Sequence, residues 1–285
     1  MNPFLGILFG LLSMLGYGLS NAIAKVPSGK IGSVRTVFYR NIFVSLFLFI
    51  ILLFTDFTLS PLYIILALII SLIGYIPLLF FYKALSVGKV GIVSPVANSS
   101  VIWTILLSII FFKESLTATQ VLAMLFIITG IFLVSVNFRD LRNSSLFTLS
   151  SGVPYAIITS LLWGLTFFLF KIPVNILGPF LTSFIIELGI AIYSGIHLYT
   201  SQKSLAIKEK SMLPYLISIA LFGTAGTLFF NLGISLYSVS IVSALTFSSP
   251  WIAALYGKIV YKEKLSIMQY MAIAFVVLGL VVISL

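Results

Sequence analysis

The sequence predicts an all-α membrane protein in which ten transmembrane helices form two inverted five-helix repeats. Three observations predict this class. The 285-residue chain is 61% hydrophobic and only 8% charged, whereas soluble domains carry about 25% charged residues. Its apolar residues fall in continuous runs of roughly 20, the length that a helix needs to cross ~30 Å of hydrocarbon. Several phrases of the first half also recur in the second half.

The apolar runs predict the individual helices. Ten runs follow one another along the chain, at 3–24, 32–54, 62–82, 90–112, 117–136, 152–170, 180–200, 213–236, 239–261 and 265–285. They lack the alternation of polar and apolar residues that a lipid-facing β-strand needs. A helix satisfies its backbone hydrogen bonds within one segment, as lipid requires. The first run has no basic leader and no cleavage site, so we expect a retained helix.

The repeated phrases predict an internal duplication. YGLSNAIAKVP at 17–27 matches WGLTFFLFKIP at 163–173 with an offset of 146 residues. FFKESLTATQ at 111–120 matches VYKEKLSIMQ at 260–269 with an offset of 149 residues. A shared order and a nearly constant offset are hard to obtain by chance, even in a sequence of biased composition.

An odd number of helices in each repeat determines how the copies are related. A five-helix unit followed by its copy enters the membrane the other way up, so we expect a pseudo-two-fold axis in the membrane plane, as in many secondary transporters. The repeats divide the chain into a first five-helix unit at 1–137, a linker loop at 138–151 and a second unit at 152–285.

These phrases, with the arginine of FYRN at 38–41, resemble the EamA family of the drug/metabolite transporter superfamily. The resemblance spans essentially the whole chain as two tandem repeats. It implies a multi-pass transporter of the cell membrane that moves a small metabolite, often an amino acid and often outward, by alternating access through a central cavity. The implied partners are this small-molecule solute and the lipid bilayer. Proton coupling and oligomeric state stay open.

Residue types that are rare or missing exclude other classes. The chain has no cysteine and one histidine, His197, so we expect neither a metal site nor a cofactor. The 16 Lys and Arg residues are scattered singly or in pairs, whereas nucleic-acid binding needs a contiguous basic face. The alternatives to a carrier are an intramembrane enzyme and a non-transporting membrane subunit. An enzyme would need paired aspartates or a nucleophile with its base, yet Asp56 and Asp140 fall in loops.

The distribution of basic residues predicts the orientation. Twelve lie in loops after odd-numbered helices and two on the side of the termini. The twelve are Lys25, Lys30, Lys83, Lys89, Arg139, Arg142, Lys203, Lys208, Lys210, Lys258, Lys262 and Lys264, against Lys113 and Lys171. Cytoplasmic loops are the basic ones, so the count predicts that both termini face away from the cytoplasm. The resemblance implies the opposite, because well-described members of the family keep both termini inside.

Two charges within the apolar runs are the first candidates for substrate binding. Arg40 lies ~12 Å into the second helix and Glu187 lies ~10 Å into the seventh, at ~1.5 Å per residue. The inverted arrangement would bring both close to the midplane. A charge in hydrocarbon costs ~2.5–3.5 kcal/mol on insertion scales, so it normally faces a cavity or a partner. A purely structural ion pair and a pair that binds substrate or exchanges a proton both stay open.

Polar segments in the middle of the fourth and ninth helices supply further candidates. SPVANSS at 94–100 and SALTFSSP at 243–250 combine proline with hydroxyl and amide groups. Proline interrupts the helical hydrogen bonds and frees carbonyl groups that can line a cavity, although serines also serve in close helix packing. The candidates here are Asn98, Ser99 and Ser248. Asn231, Tyr17, Trp103 and Trp163 complete the predicted substrate-binding set, with an interfacial aromatic belt as the alternative for Tyr17 and Trp163.

Overall fold

The computed structural model describes residues 2–88, 90–135, 148–202, 206, 209–260, 262 and 267–283, and its regular elements over these ranges are helices without strands. The helices are α1 (Pro3–Lys30), α2 (Ser33–Leu52), α3 (Pro61–Val87), α4 (Val90–Asn98), α5 (Ser100–Phe112), α6 (Ala118–Ser135), α7 (Val153–Leu169), α8 (Lys171–Leu177), α9 (Pro179–Thr200), α10 (Leu213–Leu236), α11 (Val239–Phe247), α12 (Pro250–Val260) and α13 (Ile267–Ile283). Of the residues interpreted above, Lys89, Arg139, Asp140, Arg142, Lys203, Lys208 and Lys264 lie outside the described ranges.

Eight stretches of the described chain are long and apolar enough to cross a membrane. They are Pro3–Lys30, Ser33–Leu52, Pro61–Val87, Ile92–Phe112, Val153–Leu177, Pro179–Thr200, Lys210–Leu236 and Val239–Val260. Two shorter apolar stretches, Ala118–Ile131 and Tyr270–Gly279, belong to α6 and α13. The predicted all-helical membrane class is confirmed, whereas the count of ten spans stays a prediction because it depends on the two shorter stretches.

Two of these stretches are broken near their middle. The first break separates α4, which ends at Asn98, from α5, which begins at Ser100. The second separates α11, which ends at Phe247, from α12, which begins at Pro250. Pro95 lies within α4, one turn before the first break. Proline has no N–H and clashes with the preceding turn of a helix, so Pro95 disfavours a continuous helix at the first break. The two interruptions lie within the polar segments 94–100 and 243–250 that were singled out in the sequence.

Several helices of one half pack against helices of the other half, and equivalent helices make equivalent contacts. Helix α1 packs along α10, and their counterparts in the repeat, α7 and α3, also pack together. Helix α2 packs on its own counterpart α9, and α6 packs on its own counterpart α13. A two-fold relation between the halves would produce this pattern. It would map the α1–α10 contact onto the α7–α3 contact, and it would map the α2–α9 and α6–α13 contacts onto themselves.

Individual hydrogen bonds repeat in the same way. Ser13 Oγ on α1 donates to Gly226 O on α10 at 2.8 Å, and Thr159 Oγ1 on α7 donates to Pro77 O on α3 at 3.1 Å. The two hydroxyl residues are 146 positions apart, and the two carbonyl residues are 149 positions apart. In each bond, a hydroxyl group of the first helix of one repeat reaches the third helix of the other. Equivalent positions of the repeats therefore make equivalent contacts.

Candidate functional site

Arg40 and Glu187 form a buried ion pair where the second helix of one repeat meets its counterpart in the other. Arg40 Nη1 on α2 lies 2.6 Å from Glu187 Oε2 on α9, and both side chains are 4% exposed. Removing one partner of such a pair strands a charge in a medium of low polarity, which is strongly destabilising. The pair therefore ties α2 to α9 as long as both charges are present.

A chain of hydrogen bonds extends from this pair. Arg40 Nη1 also donates to Asn41 Oδ1 at 2.7 Å, and Thr227 Oγ1 on α10 donates to Glu187 Oε1 at 2.5 Å. Tyr17 OH on α1 lies 3.0 Å from Thr227 Oγ1. The hydroxyl of Thr227 has one proton, which goes to the carboxylate, so Tyr17 is the donor to Thr227. The site thus links α1, α2, α9 and α10 through side chains.

The guanidinium group of Arg40 packs directly against the backbone of α10. A Cβ atom on Gly223 would lie 2.6 Å from Arg40 Nη2 and 3.0 Å from Arg40 Nε. A side chain at this position would therefore displace the guanidinium group. Arg40 Nε is buried and has no hydrogen-bond partner among the described residues, so one donor of the arginine is left for another group.

Two small cavities flank the ion pair. Their volumes are about 30 Å³ and about 40 Å³, far below the ~300–1,000 Å³ of a typical small-molecule pocket. Both cavities are lined by Tyr17, Arg40, Leu78, Trp163 and Phe167. The first is also lined by Asn21, Tyr82, Asn98, Thr246 and Phe247, and the second by Gly74, Thr166, Phe170, Ile186, Glu187 and Ile190. This conformation is closed around the pair, because neither space admits a metabolite.

The structure brings five of the nine predicted residues to these cavities. They are Arg40, Glu187, Asn98, Tyr17 and Trp163. Asn98 lies at the first helix break, where its Nδ2 donates to Ser94 O at 2.7 Å and its Oδ1 accepts from Ser249 Oγ at 3.2 Å. Asn98 thus joins the break of one repeat to the break of the other.

The two predicted serines lie at the helix breaks but outside the cavities. Ser99 Oγ lies 2.9 Å from Ser160 Oγ on α7. Ser248 Oγ donates to Leu245 O at 2.5 Å and also contacts Met14 on α1. Ser99 and Ser248 occupy equivalent repeat positions, and each joins a break to the first helix of the other repeat. Both serines therefore serve in helix packing.

The remaining two predicted residues are also away from the cavities. Asn231 is fully buried on α10, where its Nδ2 donates to Ser183 Oγ on α9 at 2.8 Å. Trp103 on α5 is 42% exposed. A Cβ on Gly164 would meet its side chain, so it packs over α7 with its outer edge open. Asn231 thus joins two helices, and Trp103 lies at the perimeter.

Sequence reasoning missed several residues that surround the pair. Asn41 lies 146 residues before Glu187, so it is the strict repeat equivalent of the carboxylate, a signal that could have identified it. Asn21 lies inside the repeated phrase at 17–27. For Thr227 and Tyr82 the sequence carries no comparable signal, because their roles depend on which faces of α10 and α3 turn towards the pair.

A second polar contact joins the repeats on the face where the N-terminus lies. The Glu114 carboxylate, in the turn after α5, accepts hydrogen bonds from the start of α11. Its donors are Val239 N at 2.7 Å, Ser240 N at 3.0 Å, Ser238 Oγ at 2.8 Å and Ser240 Oγ at 2.5 Å. A carboxylate is stabilised at a helix N-terminus, where N–H groups are unpaired and the helix dipole is positive. Glu114 therefore joins the turn after α5 to the start of α11 on this face.

Comparison with known proteins places the chain among transporters. A model of the EamA-like transporter family matches residues 4–136 and again residues 150–285. An uncharacterized protein of Methanocaldococcus jannaschii is 33% identical over 132 residues, which are 46% of this chain and 96% of that protein. A solved crystal structure aligns over 98% of this chain and 98% of its own chain, with a TM-score of 0.76 and 17% identity. At that identity, the likeness shows the fold alone.

Proposed function

This chain belongs to the EamA-like transporter family, and we propose that it carries a small polar solute, an amino acid or similar metabolite, outward across the cell membrane by alternating access. The observation that carries this proposal is the buried Arg40–Glu187 pair, which has one residue from each repeat and lies beside two cavities. Charges at this depth are costly and typically mark a solute pathway. Movement of the repeats relative to each other would change the distance within the pair.

We propose ten spans in two inverted repeats. The eight long stretches with the shorter α6 and α13 make ten, five in each half. The exchange pattern of helix contacts supports the two-fold relation, and an odd number of spans per repeat then requires opposite orientations of the halves. The relative from Methanocaldococcus jannaschii, which aligns over nearly all of its length with about half of this chain, supports one repeat as a structural unit.

The charges of the site favour a zwitterionic solute. The pair is neutral overall, and a zwitterion is neutral as well, so exchanging one for the other leaves no uncompensated charge. A carboxylate of the solute would accept from Arg40, whose Nε has no described partner. An ammonium group would replace Arg40 on Glu187. The aromatic side chains of Tyr17, Trp163 and Phe167 would enclose the apolar part.

A stabilisation screen of the purified protein tests this proposal. A ligand that binds the folded state at 100 times its Kd stabilises it by about 2.7 kcal/mol. We expect a shift in Tm with at least one class among amino acids, nucleosides and polyamines, with zwitterionic amino acids first. The shift should disappear in Glu187→Gln and persist in the control Glu209→Gln, whose carboxylate is exposed.

Two results would contradict the proposal. One is a ligand-dependent shift that is identical in wild type and Glu187→Gln. The other is protein reconstituted in liposomes that moves none of the stabilising solutes. If charged polyamines stabilised the protein while amino acids did not, the zwitterion would be wrong and transport through the same site would stand.

A further inference from the structure

A large cleft opens at the end of the molecule opposite the Glu114 contact. It has a volume of about 510 Å³ and lies at the turn between α1 and α2, beside the ends of α3 and α9. It is more than ten times larger than either cavity at the ion pair. A solute fragment or a lipid headgroup fits in this space, whereas neither fits in the closed cavities.

Three cationic side chains line this cleft. Lys30 extends from the last turn of α1, Arg35 from the first turn of α2, and Lys83 from the last turns of α3. No acidic residue is among the described residues that line the cleft. Lysines at a membrane face are common as orientation signals, but these three converge from three helices on one concavity. The described lining of the cleft therefore carries three positive charges and no negative one.

The backbone of the turn adds further donors to the cleft. Gly32, with φ of +87°, precedes α2, and no side chain caps the helix start. The first hydrogen bond of α2 runs from Thr36 N to Gly32 O at 3.1 Å, so Ser33 N and Val34 N precede the helical ladder. Both residues line the cleft. Unpaired N–H groups at a helix start favour an anion, particularly a phosphate.

A buried hydroxyl group provides an independent indication of a ligand. Ser28 lines the cleft, is 1% exposed, and its Oγ has no hydrogen-bond partner among the described residues. Buried hydroxyl groups normally have a partner, and leaving one without costs free energy. Other serines near helix ends in this chain bond to a preceding carbonyl, as Ser86 Oγ does to Lys83 O at 2.7 Å. A ligand with several acceptor oxygens in the cleft would satisfy Ser28.

We propose that this cleft is a binding site for a phosphate group, carried either by an anionic lipid headgroup or by a soluble phosphate ester. A planar guanidinium, two ammonium groups and the N–H groups of a helix start offer more donors than one carboxylate can use. The oxygens of a phosphate, arranged in a tetrahedron, can accept from all of these directions. The remaining volume accommodates the substituent that the phosphate carries. The site is separate from the Arg40–Glu187 pair and does not depend on transport.

The test measures binding of defined phosphate compounds to the intact protein. In the first arm, protein in neutral detergent is titrated with inorganic phosphate and with glycerol 3-phosphate, and binding is followed by the shift in Tm. In the second arm, protein in phosphatidylcholine nanodiscs receives phosphatidylglycerol, and retained lipid is counted by native mass spectrometry. Both arms use wild type, Lys83→Gln and Arg35→Gln, with Lys210→Gln as the control. Lys210 is exposed and lies outside the cleft.

We expect saturable binding in at least one arm, with a Kd that rises at least tenfold in Lys83→Gln and in Arg35→Gln but stays within twofold in Lys210→Gln. Binding of glycerol 3-phosphate identifies a soluble ester, whereas retention of phosphatidylglycerol alone identifies a lipid headgroup. Equal weakening by all three substitutions would overturn the site, because it would mean that only the net charge matters. Absence of saturable binding from both arms would overturn it as well. Lys83 is exposed, so Lys83→Gln decides the outcome if Arg35→Gln fails to fold.

Discussion

Arg40 Nη1 and Glu187 Oε2 lie 2.6 Å apart and join the second helix of one repeat to the second helix of the other. Thr227 occupies the second carboxylate oxygen, and Asn41 shares the arginine nitrogen. Any motion that separates the repeats at this level must break the pair or carry it along with one half. A solute or a proton that replaces one partner would lower the cost of that motion.

Substitution of the carboxylate separates a functional role from a structural one. Glu187→Gln keeps the shape and one acceptor oxygen, but it can neither balance Arg40 nor exchange a proton. We expect the variant to fold in the membrane with a lower Tm, because Arg40 is left without its counter-charge, and to lose solute-dependent stabilisation and transport. Tm, membrane abundance and liposome uptake of the solute identified by screening measure these effects.

The double substitution Arg40→Met/Glu187→Met provides the counter-test. Removing one partner of a buried pair costs about 3–5 kcal/mol, whereas replacing both with apolar residues is often neutral or stabilising. If the pair is functional, the double variant should regain stability without regaining transport. Wild-type transport by this variant would show that the pair serves packing alone.

The close approach of Gly223 to Arg40 predicts a local steric effect. Glycine to alanine favours a helix by ~1 kcal/mol, and Gly29→Ala should gain about this amount because nothing lies within 4 Å of its new Cβ. In Gly223→Ala the new Cβ would lie 2.6 Å from Arg40 Nη2, and such overpacking costs ~1–3 kcal/mol. Denaturation should therefore find Gly223→Ala less stable than Gly29→Ala by about 1–3 kcal/mol. Equal stabilities would mean that the guanidinium moves aside freely.

Much of the fold could be predicted from the sequence because the lipid environment restricts which residues a spanning helix can contain. A helix must remain apolar over its whole span, so the predicted run 213–236 and the helix α10 (Leu213–Leu236) have the same bounds. The run 3–24 was too short, since α1 extends to Lys30. Its last two turns contain Lys25, Pro27 and Gly29, which interrupt the apolar pattern without ending the helix.

The site was harder to predict, because lining a cavity depends on which face of a helix turns inward. Arg40 and Glu187 were identifiable, since a charge in an apolar run normally faces a cavity or an oppositely charged partner. Ser99 and Asn98 are adjacent in sequence, yet Asn98 lines a cavity and Ser99 packs against Ser160. Apolar periodicity cannot separate them, because the fully apolar surroundings give no contrast between lipid and protein.

The Glu114 contact predicts control of access from the face of the termini. Four hydrogen bonds hold its carboxylate at the start of α11, and Thr246 on the same helix lines a central cavity. The chain has no cysteine, so Thr246→Cys provides a unique thiol. We expect Glu114→Gln to raise its labelling rate several-fold when an impermeant maleimide is applied from that face, because the amide cannot accept all four bonds.

Glu209→Gln in the same Thr246→Cys background is the matched control, because Glu209 is exposed and lies on the opposite face. Its labelling rate should equal that of Thr246→Cys alone. If Glu114→Gln labels no faster than this control, the contact does not limit access, and closure depends on apolar packing around α11 instead.

The charge asymmetry predicts the orientation of the whole molecule. The sequence assigns twelve basic residues to one face and two to the face of the termini. In the structure Lys25, Lys30, Lys83 and Lys258 lie in the ends of helices rather than in loops, and basic residues near the ends of spans also favour the cytoplasmic side. The cleft lined by Lys30, Arg35 and Lys83 opens on the basic face. The anionic lipid headgroups of the cytoplasmic leaflet attract basic residues of this kind. Both termini should therefore face away from the cytoplasm. A C-terminal fusion to alkaline phosphatase, which is active only outside the cytoplasm, should be active, and a matching green fluorescent protein fusion should be dark. The reverse result would mean that these lysines are placed for ligand binding and helix capping and do not set the orientation.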